Sequence, residues 1–496
     1  MATYFSDLHC HSTLFNYNRQ LRDIWDEQPN IIFPSQGDFT KLAKGKVRVV
    51  MVALYPIEQG FVTVKPLGLG TGEITDLLAG IIFDMPDERV DQIQEYNHDY
   101  FDDLVNELNY LQASAEPVTQ KIRIKAGKRT SFRFRIVRDF EDLKNLLDLD
   151  NNLNPGIPCE DTIAVVLTIE GANALGIGQK NTKSWKDPAL LEDKVIGNIL
   201  RLKKLGPAGH EGDWCPFFVT LSHHFWNQLG GHAISLWKVI RKVLDQTEGL
   251  NEGITPLGIK AVEALLSEEN GQRRILIDVT HMSIKVRRWY YGHVANRNIP
   301  IIASHTGANG KKTMEEAEIT SNGRPLHDVA DERYENSIDF NPWDQFLADD
   351  EIIIIQKSGG IIGLNMDQRI MMGKKKLDEI KKHARGKPAK KSRELWIKPL
   401  ADQLLYIAGI ILQGTGDPTV IWDNISIGSD FSGMITPIKA FDDATTFPDI
   451  DEALFNELIS RRSSEMLLTA KTDAEIREIT DNVMWKNNLR FLEKHF

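Results

Sequence analysis

Short runs of Val, Ile and Leu recur along the chain, and most are followed by a stretch with apolar residues at helical spacing. Val49-Val50-Met51-Val52-Ala53-Leu54, Ile163-Ala164-Val165-Val166-Leu167-Thr168-Ile169 and Ile275-Leu276-Ile277-Asp278-Val279 are nearly continuous rather than alternating. Such runs suit parallel strands buried on both faces. The pattern predicts strands near 3–9, 47–55, 162–169, 216–222, 274–280, 299–304, 360–365 and 424–429. Between them it predicts helices at 193–204, 234–246, 256–267, 283–296 and 396–411. Eight such strands point to an α/β protein built as a (β/α)8 barrel. A doubly wound open sheet is the alternative, but no Gly-rich dinucleotide fingerprint follows an early strand. Long insertions at about 56–138, 306–350 and 366–395 interrupt the repeat. The last two follow the sixth and seventh strands, on the edge where a barrel keeps its active-site loops. The chain thus divides into a barrel over 1–436 and a C-terminal helical extension packed on it over 437–496, with a helix at 475–494.

Composition narrows the class. Of 496 residues, 42% are hydrophobic and 26% charged, enough apolar material for a large globular core. The net charge of −11 argues against a nucleic-acid partner, since a phosphate backbone demands a basic surface. No run approaches 18 uninterrupted apolar residues, so no membrane span is expected. No basic segment followed by an apolar run opens the chain, and the three cysteines are odd in number and far apart. A cytoplasmic location is the simplest expectation, and a homodimer is left open. The basic stretch 374–393 is read as a solvated helix or loop, with an anion-attracting mouth as the second reading.

The chemistry lies where strands end. The first strand runs into His9-Cys10-His11, and residues at i and i+2 on a strand share a face. The third ends in Thr168-Ile169-Glu170-Gly171, the fourth in Ser222-His223-His224, the fifth in Asp278-Val279-Thr280-His281. The sixth ends in Ser304-His305 and the eighth in Ser429-Asp430. In a barrel these ends share one rim, so the group can converge. Neutral imidazoles and carboxylates suit zinc. More ligand-type residues are present than one tetrahedral ion needs, so two ions bridged by a carboxylate are more economical. Such a pair can share a hydroxide and polarise a substrate oxygen, with a free aspartate as base and then acid.

The stretches LTIEGANALG (167–176), FVTLSHHFWN (218–227), GITPLGIKAVEALL (253–266), ILIDVTHMS (275–283), IPIIASHTGA (299–308), GGIIGLNM (359–366) and ISIGSDFSGM (425–434) stand in a fixed order. In that order and spacing the chain resembles the membrane (renal) dipeptidase family of the amidohydrolase superfamily. The resemblance implies a hydrolase of small amide or dipeptide bonds holding two zinc ions. It assigns the bridge to Glu170 and the second ion to His281 and His305, with His9 and His11 from the first strand. It gives His223 the substrate oxygen and Asp430 the proton, and leaves His224 as a neighbour.

Four departures qualify it. His9-Cys10-His11 stands where the family has His-x-Asp, which leaves the site richer in positive charge. The arginine that holds the peptide carboxylate is missing from Gln345-Phe346-Leu347-Ala348-Asp349. Met366-Asp367 replaces an aromatic pair, and Ser432 replaces an acidic residue. Arg324, Arg333 and Arg369 are the candidate substitutes for the missing cation. Two other readings compete. One is a phosphoesterase of the polymerase-and-histidinol-phosphatase type, which also opens with Asp-Leu-His-x-His but would carry an acidic Ser-Asp-Gly where Phe15-Asn16-Tyr17-Asn18 stands. The other is a barrel that holds metal without catalysis, which would need neither Asp430 nor His223.

Overall fold

The computed structural model describes residues 4–20, 23–25, 34–63, 85–95, 98–125, 128–149, 161–178, 188–321 and 323–496. Among these the strands are β1 (Phe5–Cys10), β2 (Val47–Leu54), β3 (Gln120–Lys125), β4 (Lys128–Ile136), β5 (Thr162–Glu170), β6 (Phe218–Thr220), β7 (Leu276–Asp278), β8 (Ile302–Thr306), β9 (Ile361–Leu364) and β10 (Ile425–Ile427). Eight of them pair in parallel in the order β1-β2-β5-β6-β7-β8-β9-β10. The ring closes where the chain after β10 returns to β1. Asp430 N–H donates to His9 O and His11 N–H to Phe431 O, both at 2.9 Å. Below that seam Asp7, fully buried, accepts from Ser429 N–H at 2.8 Å and Ser429 Oγ–H at 2.5 Å. Burial outweighs these bonds and pushes the Asp7 carboxyl up to about 6. The fold is the (β/α)8 barrel expected from the strand pattern.

Every residue of β1, β2 and β5 is buried. One face fills the barrel and the other meets the helices, which is why these strands read as unbroken apolar runs. Each buried Val, Ile or Leu contributes roughly 1.5–3 kcal/mol. Among the outer helices, Pro256–Leu266, Ile284–Val294 and Lys398–Thr415 lie close to their expected spans. The stretch Ala389–Thr415 is long and apolar enough to cross a membrane by composition, and 67% of its apolar window is buried inside the protein. The basic stretch forms helices Lys374–Ala384 and Ala389–Trp396, with Lys374, Lys376 and Arg393 paired to Asp378, Asp402 and Asp449.

Two parts of the chain depart from the sequence reading. The insertion at 56–138 contains the hairpin β3–β4, and β4 joins the barrel sheet. Arg135 of β4 and Val49 of β2 both pair with Ala164, so β4 lies on the edge of β5 opposite β2. Farther along that edge β6 takes over at Ile169 and Glu170. In QKIRIK and KRTSFRFRI charged residues alternate with apolar ones, and Ile122, Phe132, Phe134 and Ile136 are buried against the core. The helix expected at 234–246 shrinks to Lys238–Arg241. Gln246 Oε1 takes the N–H groups of Ser235 and Leu236, so a side chain replaces the helical ladder there.

The tail ends in Asp473–Asp481, a π-helical turn at Asn482–Lys486, and Asn487–His495. It packs where β1 and β10 begin. Asn487 Nδ2 donates to Trp422 O at 2.6 Å and Ile425 O at 2.8 Å, and Trp485 packs on Tyr4.

A buried ion pair anchors one wall above the barrel. Arg287, fully buried on Ile284–Val294, donates to Glu351 Oε1 at 2.7 Å and to the carbonyls of Met282 and Asp344 at 2.8 and 2.7 Å. Removing the cation leaves Glu351 buried without it, a change that typically costs about 3–5 kcal/mol. Arg287→Leu is expected to lower the urea midpoint correspondingly. A loss below about 1 kcal/mol, the level of an exposed pair, would show that the pair does not hold this wall.

Candidate metal centre

Glu170 ends β5 and lies at the centre of the rim, with its side chain 3% exposed. Its Oε1 faces three imidazole nitrogens: His305 Nε2 at 3.2 Å, His9 Nε2 at 3.4 Å and His281 Nε2 at 3.7 Å. Its Oε2 faces His11 Nε2 at 2.8 Å and His223 Nε2 at 3.5 Å. The imidazoles also come in facing pairs. His9 Nε2 and His11 Nε2 are 3.2 Å apart, and His281 Nε2 and His305 Nε2 are 3.1 Å apart. The four histidines expected as ligands thus converge on the fifth expected ligand, Glu170.

Local backbone puts them there. His9 and His11 are two apart on the β1 edge and point the same way. His281 and Asp430 have left-handed backbone, φ 65 and 60, just past β7 and β10. A non-glycine residue held there costs about 1–3 kcal/mol and persists only where its surroundings over-determine it. The turn at Ser432, φ 67, is pinned by its Oγ accepting from Gln36 and Gly37 N–H at 2.9 and 3.0 Å.

A buried carboxylate beneath the rim sets the tautomers. Asp278 accepts from Thr220 Oγ1 at 2.6 Å, Thr280 Oγ1 at 2.8 Å and Ser304 N–H at 2.9 Å, joining β6, β7 and β8. It also accepts the Ser304 hydroxyl proton, at 2.7 Å. With that proton used, Ser304 Oγ can only accept from His305 Nδ1, at 2.9 Å, and His9 Nδ1, at 3.3 Å. Both rings then carry hydrogen on Nδ1 and present a bare Nε2 to the rim. His281 Nδ1 lies 3.1 Å from Gln345 Nε2. His11 Nδ1 has no partner among the described residues, so its tautomer follows whatever Nε2 binds.

These donors fit divalent cations. Two nitrogens bound tetrahedrally at about 2.0–2.1 Å from one ion stand about 3.3 Å apart, close to both pair separations here. Burial drives His281 and His305 well below the ordinary imidazole range, helped by neighbouring imidazoles, and this keeps them neutral as ligands must be. Burial also lowers His11. His9 differs: burial opposes its charge, but Glu170, Asp430 and Asp278 together raise it to about 9. For Glu170 burial works against ionisation, and the surrounding histidines still hold it well below the usual carboxylate range. His9, His11 and Glu170 form one group able to hold an ion, and Glu170, His281 and His305 form another.

The remaining expected residues divide. Asp430 Oδ1 lies 3.6 Å from His11 Nε2, and its Oδ2 accepts from Asn365 Nδ2 at 3.2 Å. Burial and then the charge of Glu170 raise its carboxyl well above the ordinary range. His223 and His224 line the same cavity, of about 150 Å³, and His224 Nδ1 meets Ser235 Oγ at 2.6 Å. Arg369 lines it as well. Arg324 and Arg333 do not: Arg324 pairs with Glu332 at the surface, and Arg333 donates to the carbonyls of Ala317 and Glu318. Proximity in sequence to the sixth strand did not bring either one to the rim.

Sequence reasoning missed Glu58. It follows β2 in Tyr55-Pro56-Ile57-Glu58 and is 3% exposed. Its Oε2 accepts from His223 Nδ1 at 2.7 Å and Tyr55 OH at 2.9 Å, and its Oε1 from Phe225 N–H at 3.0 Å. The available signal was a carboxylate just past a strand end, the same signal that marked Glu170.

No protein-family model and no curated protein matches the chain. Solved structures do share its fold. One is a dipeptidase described as a metallopeptidase, 15% identical, matched over 100% of this chain and 99% of that one with a TM-score of 0.52. Another is a metallopeptidase from Rhodobacter sphaeroides solved with a phosphinate mimic of the dipeptide L-Ala-D-Ala, 14% identical over 100% of both chains with a TM-score of 0.51.

Glu58→Ala would strand three buried donors, each worth about 1–3 kcal/mol when left unsatisfied. A clear drop in thermal midpoint is expected, with a much smaller drop for Glu58→Gln, which keeps the shape and an acceptor. Equal losses in the two variants would mean that packing, not hydrogen bonding, is what Glu58 supplies.

Proposed function

We propose that this chain is a divergent member of the membrane dipeptidase family, a metal-dependent hydrolase that cleaves a small amide bond with two zinc ions held about Glu170. The support is the arrangement of one ionised carboxylate between two facing imidazole pairs, on a barrel shared with metallopeptidase structures. A carboxylate so placed relieves the repulsion between two close cations, which at about 4 Å is severe without an anion between them. When bound, the cations would activate water and polarise the acyl oxygen.

The protein's own groups supply the rest. Asp430 takes the proton of the attacking water and returns it to the leaving nitrogen, and Asn365 holds the carboxyl in place for both transfers. Burial and the charge of Glu170 raise its carboxyl, so once ionised it is the stronger base for the first transfer, and it then holds the proton until the second. His223 faces the acyl oxygen. Its Nδ1 hydrogen is committed to Glu58, so Nε2 becomes a donor when the ring is doubly protonated. Burial opposes that charge, but Glu170 and Glu58 together hold the ring above its ordinary value. The cation then stabilises negative charge as it develops on oxygen.

The purified protein is expected to carry about two divalent ions per chain, with zinc favoured by its His and carboxylate donors. Glu170→Gln removes the bridging charge, and metal analysis is expected to show loss of at least one ion. Full occupancy in that variant would exclude Glu170 as the bridge.

Asp430→Asn is expected to lower turnover of a small dipeptide about 10²–10⁴-fold while the protein stays folded and keeps at least one ion. His223→Ala is expected to cost about 10²–10³-fold in kcat. Rates close to wild type in Asp430→Asn would remove that residue from the chemistry.

A further inference from the structure

One part of the cavity lining is apolar and includes Phe61, Leu236, Trp237, Ile240, Ile370 and Met434, beside the polar Ser235, Gln345 and Thr436. Arg369 is the one Lys or Arg among the described lining residues. Its charge is already matched. Nε reaches the two Asp367 oxygens at 3.0 and 3.2 Å, and Nη2 closes the fork on Oδ2. The guanidinium carbon lies 4.5 Å from the centroid of the Trp237 ring, and Trp237 in turn stacks on Trp343 at 4.5 Å. Asp367 is 1% exposed and also accepts Thr436 N–H at 3.0 Å. The pair is thus a neutral plate that stiffens an aromatic wall.

We propose that this wall receives an apolar, uncharged group, so that the substrate class is small peptide amides or N-acyl amides rather than peptides presenting a free carboxylate there. The inference rests on the hydrolase reading of the same site. A carboxylate docking on Arg369 would have to share one guanidinium with Asp367. Two anions on one cation disfavour each other's charged form. An uncharged group displaces water from the indole and aliphatic walls without that conflict. The cavity volume of about 150 Å³ limits the group's size. An apolar cavity of about that volume holds one benzene molecule. A leucine side chain, smaller than benzene, is of a size this volume admits.

The test uses the metal-loaded protein and a matched pair, Ala-Leu and its C-terminal amide, read as kcat/KM. Leucine and leucinamide are compared in parallel as ligands by calorimetry. The amide is expected to lead the acid by about tenfold or more in both readouts. Asp367→Asn frees the Arg369 fork, and the acid is expected to gain about tenfold relative to the amide. In Arg369→Met, which removes the cation, the preference for the amide is expected to persist. A wild-type preference for the free acid that disappears in Arg369→Met would overturn the proposal. Absence of turnover for both peptides would refute the hydrolase reading instead, and the order of leucinamide and leucine binding would still decide this one.

Discussion

A hydroxyl has one proton to give, and at Ser304 that proton goes to Asp278. Much of the rim follows from that commitment. The lone pairs of Ser304 turn to His9 of β1 and to its own chain neighbour His305, and fix the nitrogen each ring offers. The arrangement needs β9 and the end of β10 to come unusually close to Ser304. A Cβ at Gly363 or Gly428 would fall within 2 Å of the Ser304 carbonyl oxygen. Glycine at those two positions is therefore a condition for the placement of the serine, and through it for the direction of two imidazoles.

Glu170 is the counterpart above this layer. A carboxylate in so buried a place is costly unless opposite charge or donors surround it. Here five imidazole nitrogens do so, and the backbone accepts left-handed conformations at His281 and Asp430 to complete the ring. Strain at the strand ends is offset by the closed barrel beneath, where Asp7 and Asp278 tie neighbouring strands together through serine and threonine hydroxyls.

The wall of the cavity follows a different rule. Arg369 and Asp367 sit two residues apart, and each uses up the other's charge. Asp367 thus sets an anion against the one described Arg or Lys facing the cavity. Charge matched within the protein is charge withheld from a ligand.

The strands and the rim were legible in the sequence because burial on both faces writes itself as unbroken Val and Ile runs, and because strand ends in a barrel share one edge. From that alone His9, His11, Glu170, His223, His281, His305 and Asp430 could be expected together. What local pattern could not carry was any interaction whose partners are far apart in the chain. Glu58 belongs to His223 across 165 positions, and Ser304 reaches His9 across 295. The β4 strand is invisible for the same reason, since charged residues alternating with apolar ones describe a ribbon until β5 offers it an edge. Arg369 faces the cavity and Arg333, on the helix Leu326–Asn336, does not, although both follow strand ends in the chain. That difference was settled by which carboxylates and carbonyls each guanidinium met once the barrel had closed.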